Sequence, residues 1–404
     1  MLRAADDELI SSATIRCQEA ELDGLMNPPQ SDVAITVPLL DLSPQYLAIK
    51  DEINEAIRRV VESQRFILGP EVEALENEIA QYCGCKYAVG VSSGTDALLM
   101  SLMCLGVSRG DEVITAPFTF FATIGSIMRV GATVALADIQ PETFNIDPAH
   151  VRKLITKKTK AIIPIHLFGQ CADMEILSKI ADENNIPLIE DAAQAIGAEF
   201  NGRRAGNMGT FGCFSFYPSK NLGAFGDAGI ITCNDAHLAE RLRIIRNQGT
   251  EQRYNHTLLG GNFRLDAVQA AVLRVKLKYL ETWTEQRRAN AAYYTEQFSD
   301  LESAGVVVPP RIVHGRHVFN QYVIRAENRD GLRSFLKANR IDTEIYYPKP
   351  MHLQECFSNG NYKEGDFPVT EEACTRSLAL PIYPELQENQ KYYVVSKIRE
   401  FYSK

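Results

Sequence analysis

Short apolar runs alternate with amphipathic ones through the first half of the chain. "YAVGV", "DEVITAP", "TVALADI", "AIIPIHLFG" and "IPLIEDA" are β-rich and continuous in apolar character. Between them lie "ALLMSLMCLG", "TFFATIGSIMRVG", "VRKLI" and "MEILSKIADENN", which carry apolar residues at helical spacing. Continuous strands separated by amphipathic helices predict an α/β fold. Its central sheet should be mostly parallel and covered by helices on both faces. Upstream, Ile49, Ile53, Ile57, Val60 and Val61 predict a helix over 46–63, and "GPEVEALENEIAQYCG" a second one started by Pro70. Beyond residue 208 frequent glycines among short β runs predict antiparallel strands and tight loops. "RLDAVQAAVLRVKLKYLETWTEQRRANAAYYTEQF" predicts one long helix or two joined ones. "NQYVIRA" and "DTEIYYP" read as strands flanking the helix "DGLRSFLKANR", a smaller α+β C-terminal part. The expected organisation is a flexible extension over 1–34, a large domain over 35–275 and a small one over 276–404.

Composition narrows this little. Of 404 residues, 45% are hydrophobic and 23% charged, as in ordinary globular proteins. A net charge of -9 argues against general nucleic-acid binding, which needs a basic face. No apolar run reaches membrane-spanning length, and the N-terminus lacks a signal-peptide pattern, so a cytoplasmic protein with no membrane partner is expected. Nine cysteines and seven histidines show no metal-ligand spacing.

In parallel sheets ligands bind beyond the C-terminal ends of the strands. Three segments there carry chemistry. "SSGTD" (92–96) joins a strand to a helix. Gly94 admits close backbone approach, and Ser93 and Thr95 add hydroxyls, so it reads as a phosphate cradle or a plain N-cap turn. In "IEDAAQAIG", Asp191 ends a buried strand and needs a partner: a capping amide, an arginine or a cationic ligand. Gln194 follows three residues on. In "FSFYPSKNLG", Lys220 sits among small and aromatic residues. Burial would lower its pKa and leave a neutral amine able to attack carbonyls, although a surface lysine beside a turn has the same local sequence. "GAFGDAG" does not match the Gly-x-Gly-x-x-Gly fingerprint, and no P-loop, Gly-x-Ser-x-Gly or His-Glu-x-x-His motif occurs.

Phosphate cradle, aromatic platform, strand-end aspartate and lysine come in the order that pyridoxal phosphate requires. With "FILGPEV", "PFTFFAT", "GGNFRLDAVQAA" and "YYPKPMH", they make the chain resemble the DegT/DnrJ/EryC1/StrS family of pyridoxal-phosphate-dependent nucleotide-sugar aminotransferases, of aspartate-aminotransferase fold type I. The resemblance runs from about residue 36 to the C-terminus. It implies that Lys220 binds the cofactor as a Schiff base and moves protons, and that Asp191 pairs with the pyridine nitrogen. Gln194 would lie near the ring hydroxyl, and Phe120 would stack on the ring. Gly94, Thr95, the Asp96 backbone N–H and Ser215 would hold the phosphate. It also implies a homodimer with shared active sites, Asn262 reaching the neighbouring subunit's phosphate with Arg264 beside it. Tyr217, His317, Tyr346 and Tyr347 are sugar-side candidates. Glutamate as donor and a nucleotide-linked keto-hexose, aminated at C-3, are the implied substrates, with products feeding glycan, lipopolysaccharide or antibiotic sugars. A dehydratase branch carries histidine where this chain has Lys220, which favours transamination over that alternative; a non-catalytic scaffold or sensor is the other.

Overall fold

The computed structural model describes residues 35–403 except 314 and 358–361. The expected extension over 1–34 lies outside the described residues. The first helix, α1 (Ser43–Ser63), carries Pro44 in its opening turn, where a missing N–H leaves no bond unmade. It buries Ile49, Ile53, Ala56 and Val60. Val61, expected in that stripe, is 46% exposed, because Ala56 and Val60 already complete the i, i+4 row. Helix α2 (Pro70–Cys83) follows Gly69, whose φ of +85° suits glycine.

The alternation expected downstream forms β1 (Tyr87–Val91), α3 (Gly94–Cys104), β2 (Glu112–Thr115), α4 (Phe121–Arg129), β3 (Thr133–Leu136), α5 (Pro148–Leu154), β4 (Thr159–Ile162), α6 (Met174–Asn184) and β5 (Ile189–Asp191). A small hairpin, β6 (Glu199–Phe200) and β7 (Arg203–Arg204), precedes β8 (Phe211–Ser215), β9 (Gly229–Cys233) and α7 (Ala236–Arg246). One set of strands pairs in the order β3-β2-β4 and another in the order β1-β9-β8-β5. Parallel bridges Ile162–Leu188 and Ile165–Asp191 splice them into one sheet, β3-β2-β4-β5-β8-β9-β1. Strand β8 runs parallel to β5, so the antiparallel pairing expected beyond residue 208 begins only at β9, which opposes both neighbours. Both faces are buried: Cys213 and Ile231 pack with Val89 on one, Phe214 and Ile230 with Leu265 on the other. That double burial is why these strands read as continuous apolar runs.

A second hairpin, β10 (Thr250–Gln252) and β11 (Asn255–His256), leads to α8 (Ala267–Leu277) and α9 (Leu280–Gln297), so the long helical stretch is two helices. The boundary expected at 275/276 falls inside α8. The remaining elements are α10 (Ser299–Ser303), β12 (Val307–Val308), β13 (Tyr322–Ala326), α11 (Arg329–Ala338), α12 (Pro368–Arg376), β14 (Ser377–Leu380) and α13 (Glu388–Tyr402). Strands β12-β13-β14 form an antiparallel sheet. "DTEIYYP" makes no strand, only a bridge from Glu344 to Ala379. Pro348 and Pro350 offer no N–H to extend a ladder there. Among the described residues no helix is long and apolar enough to cross a membrane, and no group of three or more His, Cys, Asp or Glu could hold a metal ion.

Candidate active site

A cavity of about 550 Å³ opens where β1, β2, β4, β5 and β8 end and β9 begins. The sheet therefore delivers Gly94, Thr95, Thr119, Asp191, Gln194 and Ser215 to one place through unrelated stretches of sequence. Phe120, Tyr217, Lys220, Tyr346 and Tyr347 also line it.

At one end, Ser93 caps α3, its Oγ accepting the Asp96 N–H at 3.1 Å. The N–H groups of Gly94 and Thr95 remain as first-turn donors without an intrahelical acceptor, the standard arrangement for an anion. Asp96 differs from its expected role. Its N–H is committed to Ser93, and its carboxylate accepts from the Ser92 and Ser93 hydroxyls at 2.6 and 3.1 Å. A Cβ at Gly94 would lie 2.7 Å from Ser215 Cβ, so the helix end and the β8 end touch only because residue 94 has no side chain. Gly94→Ala is expected to lower stability by about 1–3 kcal/mol, through overpacking against a strand end. Urea denaturation checks it, and the same variant should bind inorganic phosphate or a phosphorylated ligand more weakly.

Asp191 is the last residue of β5 and only 6% exposed. Its Oδ2 accepts from Thr123 Oγ1 at 2.8 Å, and Thr123 in turn contacts Thr119 at 2.8 Å. Its Oδ1 takes the Ala193 N–H at 3.3 Å. Burial raises the carboxyl above its usual range, outweighing Thr123, the Ala193 N–H and the charge of Lys220. Among the described residues no ion pair reaches it, so a buried carboxylate faces the cavity without a cation in contact.

Lys220 sits in the loop between β8 and β9. Its N–H bonds Tyr217 O at 2.8 Å, while the flanking Phe216 N–H to Ala228 O and Ala224 N–H to Phe216 O bonds, both 2.8 Å, fold the loop on itself. The next residue, Asn221, is tied to Val318 O and to Asn320, each at 2.9 Å. Burial pulls the Lys220 ammonium down to about 8, against the opposing pull of Asp191. Lys220 is therefore half-buried and not a surface lysine.

Gln194 Oε1 accepts the Phe168 N–H at 2.6 Å, and its Nε2 lies 3.5 Å from the Tyr347 hydroxyl. Burial raises the Tyr347 phenol, which keeps it a neutral donor. Phe120 is 61% exposed and Tyr217 55%, large rings left uncovered at the mouth.

Three expected residues lie elsewhere. His317 is buried, stacks on Phe319 with ring centroids 3.9 Å apart, and its Nδ1 accepts the Phe319 N–H. Burial pushes its pKa down to about 3, so it is a neutral packing group. Asn262 is exposed and bridges the backbone of Asn247; Arg264 donates to Asn247 Oδ1 at 2.9 Å. Neither lines this chain's own cavity. Conversely, Thr123, Asp227 and Gln321 line it without having been singled out. Beneath it, Glu190 accepts from His166 Nε2 at 2.9 Å and from the N–H groups of Gly206, Met208 and Gly209. His166 Nδ1 accepts the Ala172 N–H, which fixes the proton on Nε2. Burial alone would raise the Glu190 carboxyl, but the His166 ring and the amides hold it below its usual range. Two consecutive acids in one buried strand were the available signal, since alternation must send them to opposite faces.

The profile of the DegT/DnrJ/EryC1/StrS aminotransferase family matches residues 47–399. A protein of Geobacillus stearothermophilus named as a pleiotropic regulatory protein is 53% identical over 91% of this chain and 99% of its own. The dTDP-3-amino-3,4,6-trideoxy-alpha-D-glucose transaminase of Streptomyces venezuelae is 42% identical over 90% of this chain and 96% of its own. The crystal structure of DesV from S. venezuelae superposes with a TM-score of 0.89 at 42% identity, covering 91% of this chain and 99% of that one.

Proposed function

Because the chain belongs to the DegT/DnrJ/EryC1/StrS aminotransferase family of fold type I, pyridoxal-phosphate-dependent sugar transaminases, we propose that it moves the amino group of glutamate to the C-3 keto carbon of a nucleotide-linked hexose. One observation carries the reading: Lys220 and Asp191 share a cavity with the N-terminus of α3, in a chain 42% identical to a transaminase whose named sugar bears its amine at C-3.

The residues fit the cofactor. A carboxylate buried without a cation suits a protonated pyridine nitrogen, and a helix N-terminus that glycine keeps open suits a phosphate. Asp191 would hold the proton on the ring nitrogen; Gly94, Thr95 and Ser215 would hold the phosphate; Gln194 would meet the ring hydroxyl and Phe120 the ring face. When bound, the cofactor supplies an electron sink for the carbon that exchanges its amine. Lys220 Nζ would take a proton from the donor's α-carbon and return one to the sugar carbon that receives nitrogen. Tyr217, Tyr346 and Tyr347 would bound the sugar. Asn262 and Arg264, placed off this chain's own cavity, support a homodimer in which each serves the neighbouring site.

Incubation with glutamate and a UDP- or dTDP-linked 3-keto-hexose tests the proposal. Equal amounts of 2-oxoglutarate and 3-amino sugar are expected; a deaminated or dehydrated product in their place overturns it. A second expectation concerns pH. Only the neutral amine attacks an aldehyde, so capture of pyridoxal phosphate by cofactor-free protein should rise about tenfold per pH unit and level off above about 8. Lys276, buried and also pulled down to about 8, behaves alike, so borohydride trapping and peptide mapping must assign the adduct. A rate still climbing at pH 10 would mean that Lys220 is not held in a desolvated setting.

A further inference from the structure

Gln321 precedes β13 and lines the same cavity as Lys220. Its Oε1 is sealed from solvent and has no hydrogen-bond donor. Buried amide oxygens rarely stay unpaired, so each such atom asks for its missing partner. The position of Gln321 is not loose. Its backbone N–H reaches Phe168 O at 3.5 Å, and the preceding Asn320 N–H meets the same oxygen at 2.9 Å. Phe168 gives its own N–H to Gln194 Oε1. The two glutamines thus hang on one residue, and both border one cavity.

The chemistry of the missing donor can be narrowed by elimination. An amide oxygen only accepts. On the reading above, the cofactor's polar groups are already matched: ring nitrogen to Asp191, ring hydroxyl to Gln194, phosphate to the α3 terminus and Ser215. Glutamate offers two carboxylates, which are acceptors, and the amine that reacts. What remains are donors of the nucleotide-linked sugar, and in a cavity shared with Lys220 the hexose hydroxyl or amide N–H lies nearer than the ribose and pyrimidine, which the diphosphate separates from the reacting carbon.

We infer that Gln321 is a specificity-determining residue whose amide turns into the cavity when the keto-hexose is seated, its Oε1 then accepting a hydrogen bond from a donor group on a carbon adjacent to the one aminated. The inference rests on the proposed transamination for the identity of the substrate. A sugar with hydrogen at that carbon leaves the oxygen as it is now, unpaired. Sites built around such a bond reject analogues that lack it, here by about 10–100-fold in kcat/KM.

The test compares the wild-type holoenzyme with Gln321→Met and Gln321→Glu on UDP-linked 3-keto-hexoses carrying hydroxyl, acetamido or hydrogen at C-2, and hydroxyl or hydrogen at C-4. Each half-reaction is followed separately by cofactor absorbance, and binding of the same sugars to cofactor-free protein by calorimetry. The wild type should prefer a donor at one of the two carbons. Gln321→Met should flatten that preference, with the loss concentrated in the sugar half-reaction, and Gln321→Glu, which keeps an acceptor, should restore part of it. The hydroxyl and acetamido arms then tell which donor is read. Unchanged preference in Gln321→Met, or equal losses in both half-reactions, overturns the assignment. A wild type that binds the sugars with the expected preference but yields no amino sugar would instead overturn the transaminase reading.

Discussion

Lys220→Ala should lower transamination at least about 10⁴-fold, because it removes both the nitrogen that holds the cofactor and the base that moves the proton. The same variant should lose the yellow absorbance of the lysine-bound cofactor while still purifying with the vitamin phosphate or its amine form bound noncovalently. Fold and phosphate cradle do not depend on the amine: the loop closes through backbone bonds at Phe216, Lys220 and Ala224. Circular dichroism should therefore match the wild type. Retained activity with retained absorbance would show that a different lysine serves, and Lys276 would be the first to examine.

Asp191→Asn should lower the rate by about 10²–10⁴-fold, since an amide cannot keep the ring nitrogen protonated. Its effect on stability should have the opposite sign. The Asp191 carboxyl is raised in the folded protein, so its charged form is disfavoured by folding. That penalty is absent below the unfolded carboxylate pKa and grows as pH rises past it. At neutral pH an uncharged isostere removes it: its Oδ1 can keep the Ala193 N–H, and its amide NH2 can donate to Thr123 Oγ1, whose hydroxyl then turns to Thr119. Cofactor-free Asp191→Asn should hence be at least as resistant to urea as wild type at pH 7, with the advantage vanishing towards pH 4. A variant both inactive and clearly less stable would indicate that Asp191 is structural.

These two residues were legible in the sequence for a specific reason. Each sits within a few residues of a strand end, and strand ends can be located from apolar runs alone. Gly94, Ser215 and Gln194 share that property. Gln321 does not: it precedes a strand of the C-terminal sheet, and nothing in "FNQYVI" says that its oxygen is left without a donor. The His166–Glu190 pair joins residues 24 apart, a contact created by the parallel bridge of Ile165 beside Asp191 beyond the end of β4. His317 misled because a histidine near aromatic residues looks the same whether it faces a cavity or packs on Phe319. In the fold, the strand expected at 342–348 failed for a related reason. Its residues have strand propensity, but Pro348 and Pro350 offer no N–H, and pairing stops at the single bridge from Glu344 to Ala379.

The lone reversed strand, β9, has one more consequence. Because it returns beside β8, the segment carrying Lys220 starts and finishes at a single cross-strand pair, Ser215 opposite Gly229. Residues 216–228 are an insert on a fixed base, tied to the rest of the chain at Asn221, Gly223 and Phe225, so they can be exchanged as a cassette where those three contacts are kept. Transplanting the corresponding insert from a relative should leave the sheet register untouched and carry over whatever the loop itself contributes to the choice of sugar.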